Sequence, residues 1–246
     1  MADIFGMATK DFMNDRYTED IITFSSLGDT DTIPLPYLFR EFDQMPKVEQ
    51  LALEMAKGKV LDLGCGAGSH ALYLQERGLE VCGLDSSQGC IEVCRERGLR
   101  CTVLRTVLGY GDDTHDTLLL PMNGIGLAGT LADLGPFLKH LATLLRPGGQ
   151  ILLDSSDIIY MYDRDPDGGY WIPGDSAYYG EVVFTIGYNG SRSDPFPWLY
   201  VDFNTLQRAA AANDLECELV LEGENYEYLA KLTPRINKSL PKAPIK

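Results

Sequence analysis

Val60-Leu61-Asp62-Leu63-Gly64-Cys65-Gly66-Ala67-Gly68-Ser69-His70 reads as an apolar strand running into a glycine loop and then a helix. Glycines at alternate positions allow positive φ and let the backbone approach a ligand without Cβ clashes. The spacing is G-x-G-x-G behind an acid, not the G-x-G-x-x-G of dinucleotide sites. A pyrophosphate wants bare N–H groups and no carboxylate close by. A carboxylate two residues before the first glycine, here Asp62, suits a ligand bearing an ammonium group.

The next apolar run ends Leu84-Asp85-Ser86, with Asp85 lying 21 residues after Gly64. An acid at that distance, on the tip of a second strand, is placed to accept hydrogen bonds from ribose hydroxyls. Taken alone, Asp before Ser-Ser is also an ordinary helix start, and Ser86 or Ser87 is expected as the N-cap. Outward from this pair the chain alternates short apolar runs at 59–63, 79–85, 100–104, 117–122 and 150–154 with helical stretches at 68–77, 88–97 and 133–145. Gly78, Gly98 and Gly148 stand as stops. Repeated strand, helix, strand implies right-handed crossovers and a mainly parallel sheet. A helix at 203–213 and strands at 216–222 and 226–232 complete an α/β, doubly wound, mainly parallel seven-stranded sheet.

Four regions follow: a mostly helical N-terminal cover at 1–56, the α/β core at 57–156 and 203–232, an inserted substrate-side hairpin at 157–202, and a loose basic tail at 233–246. The hairpin is expected to run along 181–188 and return near 198–201 through Asn189-Gly190. Such a late insertion builds over the ligand mouth.

The acid-x-G-x-G-x-G loop and Asp85 resemble those of the class I S-adenosylmethionine-dependent methyltransferases. The resemblance covers 58–156 well and 203–232 less firmly, and Leu145-Arg146-Pro147-Gly148-Gly149-Gln150 looks like that family's turn before its fifth strand. Most of the chain also resembles a bacterial group of small-molecule enzymes of this class. The resemblance implies a Rossmann-like methyltransferase fold and S-adenosyl-L-methionine as cofactor. It implies that Asp62 bonds the methionine ammonium, directly or through water. The backbone of Gly64, Cys65 and Gly66, in the loop that closes at Gly68, lines the methionine portion. Asp85 binds ribose, and Met122 and Asn123, after the fourth strand, face the sulfonium. The family commonly has an Asp after its third strand for the adenine amino group. Here that stretch reads Leu104-Arg105-Thr106-Val107-Leu108. Thr106 or a backbone carbonyl is left to accept that bond, with Val107 and Ser86 packing on the base.

The 246 residues are 45% apolar, enough for a real core, and 36 acidic against 21 basic residues give a net charge of -15. A field of that sign repels polyanions, which argues against nucleic acid or anionic lipid as partner and leaves small molecules and proteins, with a small-molecule substrate as the reading taken. The Met-Ala-Asp start shows no basic region followed by an apolar one, and the least polar stretch, 117–131, is broken by Pro121 and Asn123. Neither a signal peptide nor a membrane span is expected. Five of the six cysteines fall at 65–101 among strands and helices, which reads as reduced thiols in a cytoplasmic protein.

No catalytic constellation is visible. Asn123 either orients the acceptor or the cofactor carboxylate, or turns the chain before Gly124. His70, His115 and His140 are scattered and read as structural. Arg40 pairs either with a ligand carboxylate or with a surface acid. Asp112 and Asp113 read as a solvated turn. Cys90 and Cys94 lie one helical turn apart without a histidine at ligand spacing, so no metal is expected. Tyr160, Tyr162, Tyr170, Trp171, Tyr178, Tyr179, Tyr188, Trp198 and Tyr200 crowd the insertion. Packing onto the core explains most of them, and a few are left to wall an acceptor pocket. The function expected is methyl transfer to a small molecule. The alternatives are a non-catalytic or degenerate binder of the same cofactor, or another transferase on this fold such as an aminopropyl transferase.

Overall fold

The computed structural model describes residues 2–172, 177–223 and 226–235. In chain order the elements are α1 (Ile4–Met13), β1 (Ile21–Ser25), β2 (Thr30–Ile33), α2 (Leu35–Leu38), α3 (Lys47–Met55), β3 (Lys59–Leu63), α4 (Ser69–Glu76), β4 (Glu80–Asp85), α5 (Gln88–Glu96), β5 (Thr102–Leu104), β6 (His115–Leu120), α6 (Leu131–Thr143), β7 (Leu145–Ser156), β8 (Glu181–Tyr188), β9 (Ser191–Arg192), β10 (Phe196–Leu199), α7 (Phe203–Ala212), β11 (Leu215–Glu222) and β12 (Glu227–Pro234).

Seven strands form one sheet in the order β11-β12-β7-β6-β3-β4-β5. β3 to β7 pair in parallel, whereas β12 runs antiparallel to both its neighbours. Strand order reverses at β3, which opens a crevice beyond its C-terminal end. Strands buried on both sides read as continuous apolar runs, and Leu118, Leu119 and Leu120 are all fully buried. On one face Leu61, Leu84, Leu118 and Ile151 meet Phe137 and Leu141 of α6 and Leu206 of α7. On the other, Val60, Val81, Leu119 and Leu152 meet α3, α4 and α5 through Leu53, Leu74 and Ile91.

The N-terminal region departs from a helical cover. Beside its helices it supplies β1 and β2 to a second, antiparallel sheet of order β10-β8-β1-β2, with β9 on β8. Ile22 pairs with Gly187 and Phe24 with Thr185 across most of the chain, so these strands exist through a partner that local sequence does not display. Asn189 and Gly190 both take positive φ, 47° and 71°, the turn geometry that returns β8 into β9, and β10 continues along the same edge of β8, opposite β1. Ile4, Ala8 and Ile21 pack with Ile186 and Tyr188 into a core joining α1 to this sheet.

Three further expectations are corrected. Cys82 and Cys101 form a disulfide joining the adjacent β4–β5 region, so these two thiols are not reduced, while Cys65, Cys90, Cys94 and Cys217 are free and buried. Gly148 does not stop a helix. α6 ends at Thr143, and Gly148 takes its positive φ of 79° inside β7, which begins at Leu145. Thr233 and Pro234 belong to β12 because they pair with Glu216 and Leu215, and the rest of the expected tail from residue 236 lies outside the described residues. Among the described residues no helix is long and apolar enough to cross a membrane.

Candidate cofactor and acceptor site

β3 delivers Asp62, fully buried, two residues before the first loop glycine. Neither of its carboxylate oxygens makes a hydrogen bond of good geometry, and burial pushes its pKa up to about 6 against the pull of the His70 charge and the Ala71 N–H. A buried carboxylate without a donor is costly unless something supplies one. The loop itself is held against β4, with Gly64 N–H and Cys65 N–H donating to the Leu84 carbonyl at 2.8 and 3.1 Å. Gly64, Gly66 and Gly68 all take positive φ. A Cβ at Gly66 would meet nothing within 4 Å, so this backbone faces open space. A Cβ at Gly68 would lie 2.9 Å from Cys94 Sγ, so that glycine serves close packing on α5. The Cys65 side chain points down, its Sγ 3.8 Å from Cys94 Sγ, leaving only its backbone toward the crevice.

Asp85 ends β4 and accepts from Gly66 N–H at 2.9 Å and Ser87 N–H at 2.8 Å. Burial raises its pKa against the pull of these donors. Ser87, rather than Ser86, caps α5, and Ser86 is exposed. Asp3 ties α1 to this corner: it caps its own helix through Gly6 N–H and accepts from Ser87 Oγ at 2.7 Å and Gly89 N–H at 2.9 Å. Thr106 is exposed after β5, and Arg105 N–H donates to the Asp85 carbonyl. Val107 is buried in the core and does not present its side chain to the surface. The flanking Leu104 and Leu108 are 42% and 64% exposed and offer the apolar surface instead.

Met122 and Asn123 both take positive φ, 59° and 55°, an unusual conformation for such residues that turns the chain back over β7. Asn123 N–H donates to Asp154 Oδ1 at 2.8 Å, its Nδ2 donates to the Leu199 carbonyl at 3.1 Å, and its Oδ1 accepts from Ser155 Oγ at 2.9 Å. Asn123 therefore braces the crevice loop to β7 and β10, and Met122 is the exposed member of the pair. Asp154, at the end of β7, is pushed up to about 7 by burial and by the Glu49 charge.

Sequence reading missed a buried charged group beside this crevice. Arg40 pairs with Glu49, not with a surface acid, and both are buried. The Arg40 guanidinium also lies 3.7 Å from the Tyr37 ring centre. His70, in the first turn of α4, contacts the same Glu49 oxygen at 2.7 Å. Burial pushes Glu49 up, but His70 and Arg40 outweigh it and hold the carboxyl below its usual range. The only sequence signal was a lone Arg and Glu on separate segments.

Of the aromatic set, Tyr188 is core, and Trp198 packs on Gly126, where a Cβ would lie 2.1 Å from its Nε1. Tyr178 donates to Asp202, Tyr179 to Asp157 and Tyr162 to the Tyr179 carbonyl. Tyr160, Tyr170 and Trp171 remain exposed. His140 contacts the Val107 carbonyl at 2.9 Å. Asp112 and Asp113 pair with Arg105 and Lys59. Among the described residues no group of three His, Cys, Asp or Glu is placed to hold a metal ion.

A switch-point glycine loop flanked by two acids, on this strand order, defines an α/β transferase built around a nucleoside cofactor. Residues 60–149 match the family described as a methyltransferase domain. The crystal structure of an S-adenosylmethionine-dependent methyltransferase from Bacteroides fragilis, in complex with S-adenosylhomocysteine, is 42% identical over 95% of each chain, with a TM-score of 0.88. The chain belongs to the S-adenosylmethionine-dependent methyltransferases. Curated relatives include the putative methyltransferase YqeM of Bacillus subtilis, 25% identical over 52% of this chain and 54% of that protein. The cypemycin N-terminal methyltransferase of Streptomyces is 30% identical over 40% of this chain and 42% of its own. The chain thus spans about half the length, or less, of these curated relatives.

Proposed function

We propose that the protein transfers the methyl group of S-adenosylmethionine to a small-molecule acceptor bound between the glycine loop and the second sheet. The observation that carries this reading is Asp62, a fully buried carboxylate whose oxygens make no hydrogen bond of good geometry, behind a loop whose Gly66 backbone faces open space. An ammonium group, direct or through water, supplies the missing donor.

The residues fit the cofactor along its length. Asp62 holds the ammonium, and the backbone of Gly64, Cys65 and Gly66 lines the methionine chain. Asp85, already positioned by Gly66 and Ser87, keeps lone pairs for ribose hydroxyls. Ser86, Thr106, Leu104 and Leu108 border the adenine, and Met122 faces the sulfonium side. When bound, the cofactor supplies a methyl group activated on sulfur, with a neutral leaving group. The protein's task is then to align the acceptor and keep the site dry, a contribution of several kcal/mol through proximity alone, about 7 or more in favourable cases. The Asn123 brace fixes Met122 for that task, and the second sheet closes over it through Leu199 of β10 and, just beyond that strand, Val201, whose N–H donates to Ser155 Oγ at 3.0 Å.

The net charge of -15 favours an acceptor that is neutral, cationic or aromatic over tRNA, rRNA or DNA. Incubation with methyl-labelled S-adenosylmethionine and a fractionated metabolite pool tests the reading. Label passing to a small molecule supports it; cofactor binding with label passing only to RNA or protein sinks the small-molecule assignment, and cofactor binding with no transfer at all favours a non-catalytic binder.

A further inference from the structure

Register decides which face of the second sheet looks into the crevice. β8 starts at α6, where Glu181 accepts from Leu131 N–H at 2.8 Å, and ends at α1, where Tyr188 donates to Asp11 at 3.3 Å. Alternation puts Val182, Phe184, Ile186 and Tyr188 on one face. Pairing sets Phe196 opposite Phe184 and Trp198 opposite Val182 on that same face. Tyr200 follows them: its N–H continues the ladder to the Gly180 carbonyl at 2.8 Å, and its ring centre lies 6.4 Å from that of Phe184.

This face looks inward at both ends. Ile186 and Tyr188 pack with Ile4 and Ala8 of α1, and Trp198 lies on Gly126 in the loop that Asn123 opens after β6. Leu199 and Val201 point the other way, into the core with α6 and α7. Between the two anchors Phe184, Phe196, Trp198 and Tyr200 stay only half-buried, with ring centres 6.3 to 6.4 Å apart along the chain of contacts. They form an aromatic wall over the strand ends where the crevice opens.

One polar atom on this wall is unused. The hydroxyls of Tyr162, Tyr178, Tyr179 and Tyr228 are all bonded within the protein. That of Tyr200 has no hydrogen-bond partner among the described residues, and it keeps accessible surface. Burial, followed by the neighbouring Tyr160, pushes its pKa up to about 12, so the phenol stays protonated, able to donate and to accept. The segment carrying it is held from both sides, since Asn123 Nδ2 bonds the Leu199 carbonyl and Val201 N–H bonds Ser155 Oγ. The charges nearby are acidic: Asp85 and Asp157 stand at the ends of β4 and β7, and Arg40 is already engaged by Glu49.

We propose that the methyl acceptor is a planar, uncharged aromatic compound, its ring against Phe184, Phe196 and Trp198, and that the Tyr200 hydroxyl selects it by a hydrogen bond to its polar substituent. This deepens the proposed function and rests on it.

Trp198 is one of only two tryptophans, so fluorine spectra of the whole protein labelled with fluorotryptophan report on the wall directly, with Trp198 assigned from the Trp171→Phe variant. The probes are naphthol, its saturated analogue decahydronaphthol and the anion naphthoate, each titrated with S-adenosylhomocysteine at saturation. Naphthol shifts the Trp198 resonance saturably, and the two analogues bind at least tenfold more weakly. In Tyr200→Phe, which keeps the ring and breaks no bond within the protein, the naphthol midpoint rises about tenfold while affinity for S-adenosylhomocysteine is unchanged. An unmoved Trp198 signal at millimolar naphthol, an equal response to either analogue, equal naphthol affinity in Tyr200→Phe, or a parallel loss of S-adenosylhomocysteine affinity in that variant would each overturn the proposal. Failure of the wild-type protein to bind S-adenosylhomocysteine would overturn the proposed function itself, and this proposal with it.

Discussion

The Asp85 carboxylate accepts the Gly66 N–H at 2.9 Å, so the tip of β4 and the glycine loop after β3 form one unit. Asp85→Ala removes both the loop's tether and the acceptor for ribose hydroxyls. Hydrogen bonds to a charged group contribute about 1.5–3 kcal/mol, and calorimetric affinity for S-adenosylhomocysteine should fall by about that amount. Unchanged affinity would show that ribose binds elsewhere.

Protonation of Asp62 sets a pH dependence with a definite sign. Burial raises its pKa from 3.8 to about 6, so between these values the folded, cofactor-free chain holds a proton that the unfolded chain has lost. Its stabilising effect is complete below pH 3.8 and is lost as pH rises to about 6. An ammonium partner requires the ionised form, so cofactor affinity rises with pH up to about 6 and then levels. Titrations across this range, in buffers of different ionisation enthalpy, should show proton release on binding at the acid end. Asp62→Asn should bind more weakly and without this pH step; a step that persists would place it on another group.

Glu49 is the shared partner of Arg40 and His70. Glu49→Ala leaves a buried guanidinium unpaired, a loss of about 3–5 kcal/mol. Thermal or urea unfolding should register most of it, with Glu49→Gln intermediate. Equal losses for the two variants would mean that volume, rather than charge, holds this group together.

Gly89 permits the approach of α1 to α5: a Cβ there would lie 2.5 Å from the Gly6 Cα. Gly89→Ala should loosen α1 at a cost of about 1–3 kcal/mol. Hydrogen exchange over residues 4–13 should accelerate while the parallel sheet stays protected. Protection of α1 equal to wild type would show that the backbones shift to accommodate the methyl.

The parallel core was legible because its signals are local. Alternating glycines, an acid on each side and fully apolar runs sit within a few residues of one another, and the strands are covered on both faces. The second sheet was not, because β1 pairs with β8 far along the chain and β2 is largely exposed. Arg40, Glu49 and His70 also come from separate segments, and their burial arises only in the folded chain. Asn123 had an even choice between turn and ligand contact. Its three hydrogen bonds make it a brace, and its positive φ explains why a turn-forming residue stands there.

The most direct test of the central claim is calorimetric titration of the protein with S-adenosylhomocysteine and, separately, with NAD. Saturable heat with S-adenosylhomocysteine, reduced in Asp85→Ala, and none with NAD is the predicted result. Heat with NAD and none with S-adenosylhomocysteine would contradict the assignment of the glycine loop and its two acids.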